Sequence, residues 1–167
     1  MVDKYVGLDS SGHRTEVAFK QTSAGAGDAG KGVALDSGGL ISSTMLPTSG
    51  LTTLTAFETI AAGDMINLFN DAGTVKARKA DNTNISKRAD GFAPSGVTAA
   101  ASGAFNVGNG ANSGVTGLTV GAEYFLGVAG AVTPTPVTAA GTVLQRVGVA
   151  RTATELDVLL DDCTIRA

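Results

Sequence analysis

From about Leu51 onward, apolar and polar residues alternate in short runs separated by Gly, Asp, Asn and Thr, the period-two pattern of half-buried strands. Residues 54–58, 65–70, 75–79, 91–93, 103–107, 124–128, 142–150 and 156–160 read as strands on this basis. Two of them, 65–70 and 75–79, flank Asp71-Ala72-Gly73 and predict a hairpin. Its second strand places Val75 and Ala77 inward and Lys76 and Arg78 outward. No segment sustains the 3.6-residue period of an amphipathic helix. The pattern predicts an all-β fold, a small antiparallel β-barrel or sandwich over residues 51–167.

Residues 1–50 follow another rule. Apolar triplets such as Tyr5-Val6-Gly7-Leu8 and Val33-Ala34-Leu35 alternate with Gly- and Ser-rich stretches. Val6-Gly7-Leu8-Asp9-Ser10-Ser11-Gly12 is echoed by Val33-Ala34-Leu35-Asp36-Ser37-Gly38-Gly39. Each copy runs an apolar triplet into an Asp-Ser turn, where Asp bonds to backbone and Gly takes positive φ. Neither triplet buries a core alone. This segment is expected to be an extended N-terminal arm with short strands, ordered by contact with other chains. Tyr5, Val6, Leu8, Val33 and Leu35 are its candidate contacts with those chains.

Composition narrows the function. Aromatics make up 5% of the chain, Trp is absent and there are 23 Gly, so a lone protomer buries little area and oligomerisation is the expected remedy. The net charge of −3 argues against a nucleic-acid partner. The basic residues Lys76, Arg78, Lys79, Lys87 and Arg88 read as a solvated strand face and turn. No apolar run approaches the roughly 18 residues of a membrane helix. The N-terminus lacks the basic and apolar regions of a signal peptide, so synthesis in the cytoplasm and no membrane partner are expected.

The candidate chemistry is thin. Gly25, Gly27 and Gly30 satisfy a dinucleotide glycine pattern, and with Lys31 they match most of a phosphate-binding loop. Both motifs require a helix to open behind the loop, and Gly32-Val33-Ala34-Leu35-Asp36-Ser37-Gly38-Gly39 is unsuited to one. His13, the single histidine, lies in the polar turn Ser11-Gly12-His13-Arg14. Glu155 and Asp157 read as a solvated stripe, and Asp161 and Asp162 point to opposite sides of any strand. The one cysteine, Cys163, has no basic neighbour in sequence to activate a thiolate and reads as a small buried residue. No catalytic residue, cofactor or metal ligand is assigned, and no enzymatic activity is expected.

The stretch from Thr22 to Lys31, followed by Val33-Ala34-Leu35-Asp36-Ser37-Gly38-Gly39 and Met45-Leu46-Pro47, resembles a segment of phage virion proteins that leads into a β-domain. Gly117-Leu118-Thr119-Val120-Gly121-Ala122-Glu123-Tyr124-Phe125-Leu126 is similar to an element of phage decoration and fibre modules. There a Thr/Pro turn such as Thr133-Pro134-Thr135-Pro136 and a strand follow. The chain thus resembles tailed-phage capsid decoration, or cement, proteins of head-fibre-like type, which share modules with phage fibre proteins. The resemblance implies a non-enzymatic structural protein on the capsid surface of the virion. It would be a homo-oligomer, often a homotrimer, bound to major capsid protein subunits. The alternative is a tail-fibre or baseplate module that binds a host surface receptor or glycan. Independently of the resemblance, the spacing predicts that Leu118 and Tyr124 pack together under a Gly-bounded turn.

Overall fold

The computed structural model describes residues 4–8, 10–23, 28, 31–35, 37–42 and 50–166. The chain divides into two compact units, Met1–Ser49 and Gly50–Ala167. Gly25, Gly27 and Gly30 of the Gly-rich loop, Asp9 and Asp36 of the two Asp-Ser turns, and Met45-Leu46-Pro47 lie outside the described residues.

In the first unit, β1 (Lys4–Leu8) and β2 (Arg14–Ala18) form an antiparallel hairpin in which Tyr5 faces Val17 and Val6 faces Glu16. The strands form because Tyr5, Gly7, Val17 and Phe19 share one side. The Tyr5 and Phe19 rings lie 5.0 Å apart, and the Gly32 amide donates to Tyr5 Oη at 3.2 Å. A Cβ on Gly32 would stand 2.7 Å from the Phe19 ring, so the glycine lets the returning chain lie beneath it. The echo noted in the sequence has a structural counterpart. Gly12 and Gly39, which end the two copies, both take positive φ, +81° and +75°.

The second unit is all-β. Its strands are β3 (Leu51–Ala56), β4 (Met65–Asp71), β5 (Thr74–Lys79), β6 (Gly91–Phe92), β7 (Ser102–Val107), β8 (Gly110–Asn112), β9 (Glu123–Leu126), β10 (Val132–Thr133), β11 (Val143–Leu144), β12 (Arg146–Thr152), β13 (Glu155–Val158) and β14 (Thr164–Ile165). Five close into a barrel in the order β3-β5-β4-β6-β7. Four of its pairings are antiparallel, and β3 closes on β5 in parallel, Ala56 beside Ala77. So narrow a barrel has little interior. Ala56, Ile66, Ala77, Ala93, Val97 and one ring, Phe105, fill it. Gly91 is required where β6 meets β7, because a Cβ there would collide with the Asn106 carbonyl.

The predicted hairpin is β4–β5. Ala72 and Gly73 between the strands both have positive φ, the signature of the two-residue turn whose twist suits a hairpin. Ala77 points inward as expected, whereas Val75 is exposed because it sits at the turn end of the hairpin, next to Ala72 and Gly73.

A second core lies between the barrel and a five-stranded sheet of order β10-β9-β12-β13-β8. Met65 and Phe92 turn away from the barrel interior to meet Tyr124, Leu126, Val147, Leu156 and Val158 of the sheet. Buried amide side chains stitch the two layers, each offering both a donor and an acceptor without charge. Asn112 Nδ2 donates to the Gly63 carbonyl at 2.9 Å, and Asn82 Nδ2 to the Leu126 carbonyl at 2.9 Å. Gln145, in the break between β11 and β12, accepts from the Ala89 amide at 2.8 Å and donates to the Ala89 carbonyl at 3.0 Å and the Asp161 carbonyl at 3.2 Å. Among the described residues, no buried side-chain N or O atom is left without a partner.

Asp81, beside the Asn82 stitch, ties the same seam. Its Oδ1 accepts from Thr83 N at 2.9 Å and Thr83 Oγ1 at 2.7 Å, and its Oδ2 from Ala129 N at 3.2 Å. Burial works to raise the carboxyl pKa. The Thr83 and Ala129 hydrogen bonds and the Lys87 charge outweigh it and hold the group below its ordinary value. A depressed folded-state pKa means that the stability Asp81 contributes is complete above the unfolded value, ~3.9, and is lost as pH falls from there through the folded value. Urea midpoints should therefore fall as pH drops below about 4. Asp81→Asn should lower the midpoint at neutral pH and flatten that acid limb. An acid limb unchanged in the variant would rule Asp81 out as a contributor.

Candidate functional site

The first unit presents two unlike hairpin faces. Tyr5 is on the packed side, half-buried against Phe19 and bonded to Gly32. Val6 and Leu8 are on the other, 67% and 70% exposed, alongside Lys4, whose Nζ meets Glu16 Oε2 at 2.8 Å. Val33 forms an isolated parallel bridge with Lys20 and, like Leu35, leaves its side chain exposed. Of the five candidate contacts, four therefore face water and Tyr5 organises the unit instead.

Asp28 and Lys31, the described residues of the Gly-rich stretch, are engaged with each other. Lys31 Nζ and Lys20 Nζ both reach Asp28 Oδ1, at 3.2 and 3.1 Å. After Lys31 the backbone is extended: Lys20 N donates to the Gly32 carbonyl and Ala34 N to the Lys20 carbonyl, both at 2.9 Å. A helix N-terminus, which a phosphate loop needs, does not form across a bridged strand. His13 is exposed beside the Gly12 turn. Glu155 and Asp157 form a stripe that Arg151 bridges, at 3.1 and 3.4 Å.

A groove of about 540 Å³ opens on the second unit over Leu68, Val107 and Leu160, rimmed by Arg88, Asp90, Asp161 and Cys163. Its carboxylates are engaged. Asp90 accepts from Asn67 Nδ2 and Leu68 N, both at 2.9 Å, and from Arg88 Nε at 3.1 Å, while Asp161 lies 3.5 Å from Arg146. The expectation for Cys163 is corrected here. The thiol is half-buried rather than buried, and the fold brings Arg88, distant in sequence, beside it. Among the described residues, no three His, Cys, Asp or Glu side chains are placed to hold a metal ion, and no helix is long and apolar enough to cross a membrane.

Three of the five residues in the basic cluster pair with carboxylates. Lys76 meets Asp71 at 2.6 Å, Lys79 meets Asp64 at 3.3 Å and Arg88 meets Asp90 at 3.1 Å. Arg78 instead lies over the Phe69 ring, 4.3 Å from its centroid, and Phe69 meets Phe57 edge to face at 5.1 Å. These three side chains alternate with the inward residues Ala56, Leu68 and Ala77, which places them on the barrel exterior.

The turn before β9 is built as the spacing predicts. Leu118 and Tyr124 are buried in one cluster, Tyr124 Oη accepts from Thr119 N at 2.9 Å, and Gly117 and Gly121 take positive φ at either end. No protein-family model and no curated protein matches the chain. Among solved structures, the N base of the head fibre gp8.5 of bacteriophage phi29 is similar, 16% identical, with a TM-score of 0.47. The similarity covers 70% of this chain and 98% of that one.

Sequence reading missed the Phe57–Phe69–Arg78 group. It assigned Arg78 to an outward face, and the register of the hairpin, with Asn67 opposite Arg78 and Phe69 opposite Lys76, was the signal that would have brought Phe69 to it. Phe57 required the parallel β3–β5 pairing, which no local pattern announces.

Proposed function

We propose that the chain is a structural protein of a tailed-phage particle that decorates and stabilises the capsid, binding major capsid protein subunits as a homo-oligomer on the virion surface. The observation that carries this reading is the outward hairpin face of the first unit. Val6 and Leu8 stand in water on a two-stranded element too small to bury them. Residues 1–50 then act as a reaching arm, anchored through Val6, Leu8, Val33 and Leu35, with Tyr5 holding the arm's own shape. The two cores of residues 51–167 make a compact body independent of the arm's side chains. The resemblance of the Leu118–Tyr124 turn to decoration modules supports the same reading.

In this reading the protein acts by binding, with no chemical step. Co-sedimentation with capsids that lack the protein tests it. Burying two aliphatic side chains is worth ~1.5 kcal/mol each at the low end, so Val6→Asp with Leu8→Asp should weaken capsid binding about 100-fold. Thermal unfolding of the second unit should not change. Equal co-sedimentation of variant and parent would remove this face from the contact.

A further inference from the structure

The Phe57–Phe69–Arg78 group on the barrel exterior has properties that packing alone leaves unexplained. Only six Phe are present in the chain, yet Phe57 is 54% exposed and is held edge to face against Phe69, 5.1 Å away. Arg78 is fixed over Phe69, 4.3 Å from the centroid, within cation–π range. Its Nε donates to Asn67 Oδ1 and its Nη2 to the Ser86 carbonyl, both at 2.8 Å. Both acceptors are neutral. Lys76, Lys79, Arg88, Arg146 and Arg151 each have a carboxylate partner, whereas no carboxylate among the described residues pairs with Arg78. The guanidinium is held in orientation with no carboxylate in direct contact, beside an apolar ring that faces water.

We propose that this group is a docking surface for a protein partner that presents a carboxylate next to an apolar side chain. The carboxylate would meet the open edge of the Arg78 fork, whose planar donors suit it, and the apolar side chain would cover Phe57. Charge complementarity selects an acidic partner. An aromatic pair with a pre-oriented Arg is the composition that concentrates binding energy in protein interfaces. The surface belongs to the second unit alone and does not depend on what the first unit binds.

The test is an NMR titration of the ¹⁵N-labelled full chain with N-acetylphenylalanine, which carries both groups, and with its neutral amide. The Arg78 Nε–H resonance and the Phe57 and Phe69 amides should shift saturably with the acid, which should bind about three- to fivefold more tightly than the amide. Arg78→Gln should abolish that preference. Phe57→Ser, at an exposed position, should weaken both compounds and keeps the test open if Arg78→Gln does not fold. Equal shifts with acid and amide, shifts confined to other surfaces, or none at all would overturn the proposal. Concentration-dependent broadening of these resonances without either compound would also overturn it, by making a second copy of the chain the occupant.

Discussion

Deleting residues 1–49 should leave a folded β-unit that no longer binds capsids tightly. Every side chain of the two buried clusters comes from Ala56 or later, so among the described residues the truncation removes no member of either cluster. β3, the first strand of the barrel, begins at Leu51 and is held on both sides, by β7 and by β5. The first unit, in contrast, leaves Val6, Leu8, Val33 and Leu35 facing water. If each anchor yields ~1 kcal/mol net of the side-chain ordering that binding costs, their combined loss weakens binding about 1000-fold. Amide exchange gives the corresponding signature in the full chain. Protection in residues 4–42 should rise on capsid binding, while protection in the barrel is high in both states. Unchanged affinity in the truncated protein would transfer the contact to the β-unit.

Gln145→Leu should be among the most damaging single substitutions. The side chain is buried and bonds both backbone groups of Ala89 and the carbonyl of Asp161, joining the strand break before β12 to the barrel side of the second core. Leucine keeps the volume and removes all three bonds. Ala89 is itself buried, so its amide and carbonyl would lose their partners without gaining water. At ~1–3 kcal/mol for each buried group left unpaired, the loss is about 3 kcal/mol or more, a large part of the stability of a small domain. Urea unfolding should show the midpoint falling with its slope retained. A loss under about 1 kcal/mol would mean that the seam relaxes to re-pair those groups.

What the sequence made legible was local. The hairpin of β4 and β5 announced itself through alternation and the Asp71-Ala72-Gly73 turn, and the Leu118–Tyr124 turn through its bounding glycines. Residues 142–150 read as one strand because the apolar alternation runs through. Gln145 interrupts it, since its side chain is recruited to Ala89. The short strands β8, β10 and β14 carry two or three residues each, too few for any period to register. The parallel β3–β5 closure, the amide stitches at Asn82 and Asn112, and the approach of Arg88 to Cys163 join residues distant in the chain, so they follow from topology and not from neighbours. The same holds for the candidate sites. The exposed triplets of the first unit were visible as isolated apolar residues among Gly and Ser, whereas the Phe57–Phe69–Arg78 surface needed three strands in register.

Copy number in purified virions tests the decoration reading most directly. Quantitative mass spectrometry against the major capsid protein should find this chain in a fixed stoichiometric ratio to that protein, as a lattice-wide clamp requires. A few copies per particle, scaling with a tail or baseplate component, would contradict capsid decoration and assign the chain to the host-recognition apparatus.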